Sequence, residues 1–411
     1  MDYEKLLATR TRLMEASIIR EILKVASSPG MISLAGGLPA AESFPVDLIE
    51  ELTGAVLAKY GSRALQYDAS EGFMPLREAL VDHLARRGVT TTAEGVLIMS
   101  GSQSLLDGIG KILISPGDVV AVEAPTYLGA LQAFDPYEPR YVEIETDDDG
   151  LIPDSLDHAL GAEPVKFVYL VPTFQNPTGR TLPLERRQRV AEILQRHDAL
   201  LLEDDPYSDL RYSGSPVPPI KSLAPGNVVY STTLSKTFAP GLRLGVCVAP
   251  AVIQRWLVTA RQGVDLHTNT FAQALAAEYL AAGHLERQLP KILALYAPRQ
   301  EAMLASLARH LPEDFKWSRP EGGMFVWVEG PTGFDAESLQ RRVIERGVAF
   351  VPGKHFYTNP DIGGATLRMN FTAADPATIE HAVSIIADAI AEELAAAARG
   401  DQRPNHPEVR A

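Results

Sequence analysis

From about residue 95 to 250 the sequence alternates short apolar runs with helix-like segments, and this alternation leaves few folds open. Gly95–Met99, Val119–Glu123, Phe167–Val171, Ala199–Leu202, Asn227–Leu234 and Leu242–Ala249 read as strands. Segments such as Leu184–His197 read as the helices between them. Strand–helix–strand units imply right-handed crossovers and a mostly parallel sheet covered on both faces. Loops at the carboxyl ends of such strands converge on one crevice. Tyr127, Asn176, Asp204, Tyr207 and Lys236 each follow a strand, so the alternation predicts that these scattered residues meet.

Lys236 draws particular notice. It lies in S-T-T-L-S-K-T-F-A-P-G-L-R-L-G, between two apolar runs and beside Thr233, Ser235 and Arg243. Partial burial and a cationic neighbour both lower an amine's pKa, and only a neutral amine attacks a carbonyl. A lysine that merely caps a turn is the competing reading.

The rest of the chain extends the α/β expectation to a large domain with a mixed, mostly parallel sheet between helices, plus a smaller α+β domain. Residues 1–33 read as one amphipathic helix and a short exit, with Met14, Ile18, Ile19, Ile22 and Leu23 at helical spacing. Spacing alone makes Arg20 a solvated charge on that helix. S-L-A-G-G-L-P-A, Ser33–Ala40, suits close backbone approach and a sharp turn. Small residues at 100–102 between a strand and a helix leave N–H groups that suit an anion, although ordinary helix caps look the same. Asp147–Gly150 is a turn without the spacing of a calcium loop, so no metal is expected. Leu285–Leu311 reads as a long helix leading into strands at 323–329, 348–351 and 366–371 and a closing helix to residue 398. The expected divisions are an N-terminal helix and arm (1–45), a large domain (46–290), a small domain (291–398) and a disordered tail (399–411).

Composition narrows the function. The 411 residues carry 38 Lys and Arg against 52 Asp and Glu, a net charge of −14, which argues against general nucleic-acid binding. Cys247, the one cysteine, sits in an apolar run and reads as a buried hydrophobe. The N-terminus lacks a signal-peptide pattern, and no apolar run approaches the ~20 residues that span a bilayer. A cytoplasmic protein without membrane contact is expected.

Taken together the motifs carry more. Q-N-P-T-G at 175–179, D-D-P-Y at 204–207, S-K-T-F-A-P-G-L-R-L-G at 235–245 and R-M-N at 368–370 resemble, in order, those of class I aminotransferases of the fold-type I pyridoxal-phosphate family. The resemblance implies pyridoxal 5′-phosphate as cofactor. Lys236 would be joined to its aldehyde and would then shuttle a proton. Asp204 would pair with the ring nitrogen, Asn176 and Tyr207 would bond the ring's phenolic oxygen, and Tyr127 would stack on the ring. Ser102, Gln103, Thr233, Ser235 and Arg243 would hold the phosphate. Tyr67 would reach it from a neighbouring subunit, which implies a homodimer with shared sites. Arg368 would grip the substrate α-carboxylate as a two-pronged fork.

A narrower resemblance joins A-S-I-I-R-E-I-L-K at 16–24, S-L-A-G-G-L-P-A at 33–40, L-Q-Y at 65–67, A-P-T-Y-L-G-A at 124–130 and V-D-L-H-T-N at 264–269 to the 2-aminoadipate aminotransferase branch. It implies that Arg20 meets a distal carboxylate, with Ser17 one turn before it, and that Gly37 approaches the substrate. Amino acids and 2-oxo acids are the expected partners. Another pyridoxal-phosphate reaction on this fold, and a transcription regulator with an aminotransferase-like domain, are the alternatives.

Overall fold

The computed structural model describes residues 1–14, 22, 24, 28–359 and 361–398. Its centre is a seven-stranded sheet. The strands are β1 (Val96–Met99), β2 (Val119–Glu123), β3 (Arg140–Ile144), β4 (Val165–Leu170), β5 (Leu201–Asp204), β6 (Val228–Thr233) and β7 (Gly245–Val248). Their order is β1-β7-β6-β5-β4-β2-β3. β7 runs antiparallel to both its neighbours, and the other pairs are parallel.

Alternation along β1 shows how both faces are covered. Leu97 and Met99 pack with Leu105, Leu106 and Ile109 of the helix Ser102–Leu113. Val96 and Ile98 point the other way, onto Leu76 and Leu80 of the helix Met74–Arg86 and onto Leu275. Strands β1, β2, β5, β6 and β7 bury side chains on both faces, whereas the edge strand β3 is mostly half-buried.

A second sheet is antiparallel throughout. It comprises β8 (Lys316–Trp317), β9 (Phe325–Glu329), β10 (Val351–Pro352) and β11 (Thr366–Asn370), in the order β8-β9-β11-β10. The helices Ala336–Glu345 and Pro376–Ala398 pack on it through Leu339, Val343, Ile379 and Val383. One 27-residue helix, His284–His310, joins the two cores. Ile292 and Tyr296 sit in the core of the large sheet, Met303 and Leu307 in that of the small one.

The structure departs from expectation in two places. Residues 1–14 are not the start of one helix. Tyr3–Leu6 and Thr9–Leu13 are short 3-10 turns separated by extended backbone at Leu7 and Ala8. Leu6 and Leu7 are 71% and 55% exposed, so this segment has no apolar surface to fold on, and short helices are marginal without one. Ile22, by contrast, is helical and buried. The second departure is β5, which runs Leu201–Asp204, two residues later than expected. Asp204 thus belongs to the strand's last position. The expected tail, 399–411, lies outside the described residues, as do Ser17 and Arg20. Among the described residues no helix is long and apolar enough to cross a membrane.

Candidate active site

The register of the large sheet assembles the site. Thr233 pairs with Gly245, and Gly245 with Met99. The turn after β6, Arg243 just before β7 and the loop after β1 therefore lie side by side. Arg243 takes a left-handed conformation, φ 53°, at the end of the Pro240–Leu242 turn. Gly101, at φ 83°, passes directly beneath its guanidinium, and a Cβ there would collide with it. A Cβ on Gly245 would stand 2.7 Å from the Ser102 nitrogen. These two glycines let arginine, loop and strand close together. The helix Ser102–Leu113 starts at this point with no side chain capping it, so its first-turn N–H groups and the cation face the same space.

Thr233 orients this cradle. Its hydroxyl bonds the Ser235 hydroxyl and the Leu244 carbonyl, both at 2.8 Å, and accepts from the Ser235 N–H at 3.1 Å. The Gln103 side-chain amide donates to the Gly129 carbonyl at 2.6 Å, which leaves its backbone N–H as the group for an anion.

Lys236 follows, with its Nζ donating to the Gly37 carbonyl at 2.8 Å. Burial, and then the charges of Arg368 and Arg243, hold its pKa down to about 8. A neutral amine is thus available near neutral pH. Asp204 forms part of the wall of the same cavity. Burial pushes its carboxyl up to about 6, against two hydrogen bonds that favour the ionised form, from the Ser231 hydroxyl at 2.9 Å and the Tyr169 hydroxyl at 3.1 Å.

Arg368 lies mid-strand on β11, 1% exposed. Its hydrogen-bond partners among the described residues are neutral. It donates to Asn176 Oδ1 and to the Ala35 carbonyl, both at 2.7 Å. Its guanidinium lies 4.2 Å from the Phe325 ring centroid and 4.9 Å from that of Phe356. No acidic side chain pairs with it among the described residues, and its buried Nε has no hydrogen-bond partner. Burial pulls its pKa down to about 10. Burial pushes the Tyr207 hydroxyl up, and nearby Asn176 offsets this in part.

The cavity has a volume of about 890 Å3. Ser102, Gln103, Tyr127, Asn176, Asp204, Tyr207, Thr233, Ser235, Lys236, Arg243, Arg368 and Gly37 all face it, as the strand alternation predicted for the residues that follow strands. Tyr67 does not line it; it is 76% exposed and packs edge-on against His267. Sequence reasoning missed Tyr169, Ser231, Ala35, Phe325, Lys24, Leu38 and Gln132. For Tyr169 and Ser231 a signal existed: each carries a hydroxyl on a strand that flanks the strand of Asp204.

Beneath the site, Glu123 at the end of β2 is almost fully buried and accepts from the Val171 N–H at 3.1 Å. Burial pushes its carboxyl up to about 8. A carboxyl raised on folding binds a proton that the unfolded chain gives up, so its stabilising effect is complete at low pH and is lost as pH rises through the folded value. Between pH 6.5 and 8 the ligand-free protein should therefore lose stability, with Glu123 contributing up to about 1.4 kcal/mol per pH unit. Glu203, raised to about 7 by burial, contributes in the same direction. Glu123→Gln should flatten this slope, measured by denaturant unfolding at several pH values. An unchanged slope would show that Glu123 is ionised in the folded protein.

This donor set fits the expected cofactor. An arginine, hydroxyls and helix-start N–H groups suit its phosphate, a partly neutral amine its aldehyde, and a buried carboxylate its ring nitrogen. The orphaned Arg368 Nε leaves a donor for a substrate carboxylate. Comparison with known proteins agrees. The sequence pattern of the family "Aminotransferase class I and II" matches residues 31–386. The chain is 45% identical to aromatic-amino-acid aminotransferase 1 of Thermococcus litoralis over 401 residues, 96% of each chain. The structure resembles the multiple substrate aminotransferase of Thermococcus profundus (TM-score 0.92, 43% identity, 96% of this chain and 100% of that one). It also resembles the α-aminoadipate aminotransferase of Thermus thermophilus, solved with N-(5′-phosphopyridoxyl)-L-leucine (TM-score 0.89, 36% identity, 96% and 100%). The chain thus belongs to the class I and II aminotransferases, as a pyridoxal-phosphate-dependent enzyme of fold type I.

Proposed function

We propose that this enzyme moves an amino group between an L-amino acid and 2-oxoglutarate or a related 2-oxo acid, in two half-reactions at one site. The observation that carries the reading is the pairing, in one cavity, of a lysine amine lowered to about 8 with a buried arginine that has no carboxylate partner among the described residues. Bound pyridoxal phosphate supplies a ring that draws electrons from the substrate Cα. Arg368 holds the α-carboxylate, which fixes the Cα hydrogen toward Lys236. Lys236 would take that proton and return it to the cofactor's C4′, two bonds from Cα. Asp204 keeps the ring nitrogen protonated, Asn176 and Tyr207 hold the phenolic oxygen, and Tyr127 covers the ring. Ser102, Gln103, Thr233, Ser235 and Arg243 anchor the phosphate. Adding L-glutamate should convert the bound cofactor's absorbance to that of its pyridoxamine form, and 2-oxoglutarate should reverse it. No change with any amino acid would refute the proposal.

The substrate range is broad on this reading, covering 2-aminoadipate, glutamate and apolar or aromatic amino acids. Relatives named for aromatic amino acids, α-aminoadipate and multiple substrates support it. Arg20 meets the distal carboxylate of the dicarboxylic substrates, with Ser17 beside it and Gly37 against the substrate backbone. Arg20→Ala should lower kcat/KM for 2-aminoadipate and glutamate roughly 10- to 100-fold, the worth of a charged hydrogen bond, and leave leucine and phenylalanine nearly unchanged. Equal losses across a donor panel would remove Arg20 from this role. Tyr67 completes the phosphate site of a second copy in a homodimer. Its 76% exposure, beside Leu65 at 71% and Val264 at 66%, supports an apolar face that a partner covers.

A further inference from the structure

We propose that Tyr169 and Ser231 are positioning residues that hold Asp204 ionised and aimed at the cofactor's ring nitrogen; this rests on the reading of Asp204 given above.

The geometry is a clamp built by three adjacent strands. Asp204 ends β5, with β4 on one side and β6 on the other. Ser231 is the register partner of Asp204 on β6, and its hydroxyl donates to Oδ1 at 2.9 Å. On β4, Tyr169 is paired with Leu202, two residues before Asp204, and its hydroxyl reaches forward to Oδ2 at 3.1 Å. Each carboxylate oxygen thus receives one donor from behind, and the cavity lies in front. Both donors are fully buried, at 0% exposure, and no other acceptor takes either hydroxyl among the described residues. Phe134 packs edge-on against the Tyr169 ring, with centroids 6.0 Å apart, and fixes its direction.

The clamp answers a specific need. A carboxylate in a desolvated wall favours its neutral form, which cannot pair with a protonated ring nitrogen. The adjacent Asp205 adds a like charge nearby. That charge is largely occupied by the Tyr230 hydroxyl at 2.7 Å, the Ser208 hydroxyl at 2.8 Å and the Arg87 guanidinium at 3.8 Å. What remains is offset by donors that bond the ionised form. Tyr169 is suited to this because burial drives its own pKa well up, so it keeps its proton and only donates. Without the two donors Asp204 becomes the stronger base and takes the proton from the ring nitrogen.

The test uses holoenzyme loaded with cofactor carrying 15N in the ring. The nitrogen's chemical shift distinguishes the protonated ring from the neutral one and does not depend on turnover. At pH 7.5 the parent enzyme should show the protonated value, and Tyr169→Phe with Ser231→Ala should move it toward the neutral one. Asp204→Asn is the control. Either single variant should lower kcat roughly 10-fold and the pair roughly 100-fold, with little change in KM. If the double variant does not fold, the single variants carry the test, each with a partial shift. Should Asp204→Asn move the signal and the hydroxyl variants leave it in place, the clamp is refuted and the role of Asp204 stands. A protonated signal in Asp204→Asn itself would refute the role of Asp204.

Discussion

Replacing Lys236 by Ala is expected to cut transamination by about 10^4-fold or more, the upper range for one proton-transferring side chain, while the fold and the non-covalent hold on the cofactor persist. The physical reason is a separation of tasks. Lys236 reaches the cavity from the turn after β6, and among the described residues its side chain hydrogen-bonds the Gly37 carbonyl. On the proposed reading, Arg243, Ser235 and the first turn of the helix Ser102–Leu113 hold the phosphate without it. The alanine variant should bind cofactor with the absorbance of the free aldehyde form and give no product on a single-turnover timescale. Residual activity within about tenfold of the parent would place the proton shuttle on another group.

The second large effect concerns Arg368. Arg368→Met should lower kcat/KM roughly 10^2-fold or more for every amino acid that keeps its α-carboxylate. Arg368→Lys should recover little of this, because a single ammonium does not reproduce two parallel N–H bonds. Stability should move differently. Among the described residues Arg368 is a buried cation bonded to neutral oxygens and set against aromatic rings, with one N–H unpartnered. Removing a buried charge that lacks an opposite charge relieves a desolvation cost. The ligand-free methionine variant should therefore melt no lower than the parent, a trade of stability for function. Kinetics over a donor panel and thermal melts of ligand-free protein would check both halves. A methionine variant that keeps full activity would remove Arg368 from carboxylate binding.

Much of this site was legible in the chain because strand alternation is a strong signal and parallel sheets gather their loops. Lys236, Asn176, Tyr127 and Tyr207 each follow a strand in the sequence, and all four line one cavity. The polar run Glu203–Asp205 was harder. It reads as a loop, yet the strand extends into it, because each carboxylate is buried with donors of its own. Glu203 accepts from the Ile220 and Lys221 N–H groups, Asp204 from Ser231 and Tyr169, and Asp205 from Tyr230 and Ser208. No local pattern reveals donors that lie up to 35 residues away. The same limit hid the partners of Arg368, since Ala35 stands 333 residues from it in sequence. The opening segment misled for a different reason. The spaced apolar residues begin only at Met14, and the stretch before it, with Leu6 and Leu7 exposed, has no buried apolar face to support a helix.

The central claim is a covalent bond between Lys236 and the cofactor in the resting enzyme. Borohydride reduction of the holoenzyme, followed by digestion and mass spectrometry, tests it most directly. The account predicts one pyridoxyl modification per chain, on the peptide containing Lys236. A label on any other lysine, or none on enzyme saturated with cofactor, would contradict it.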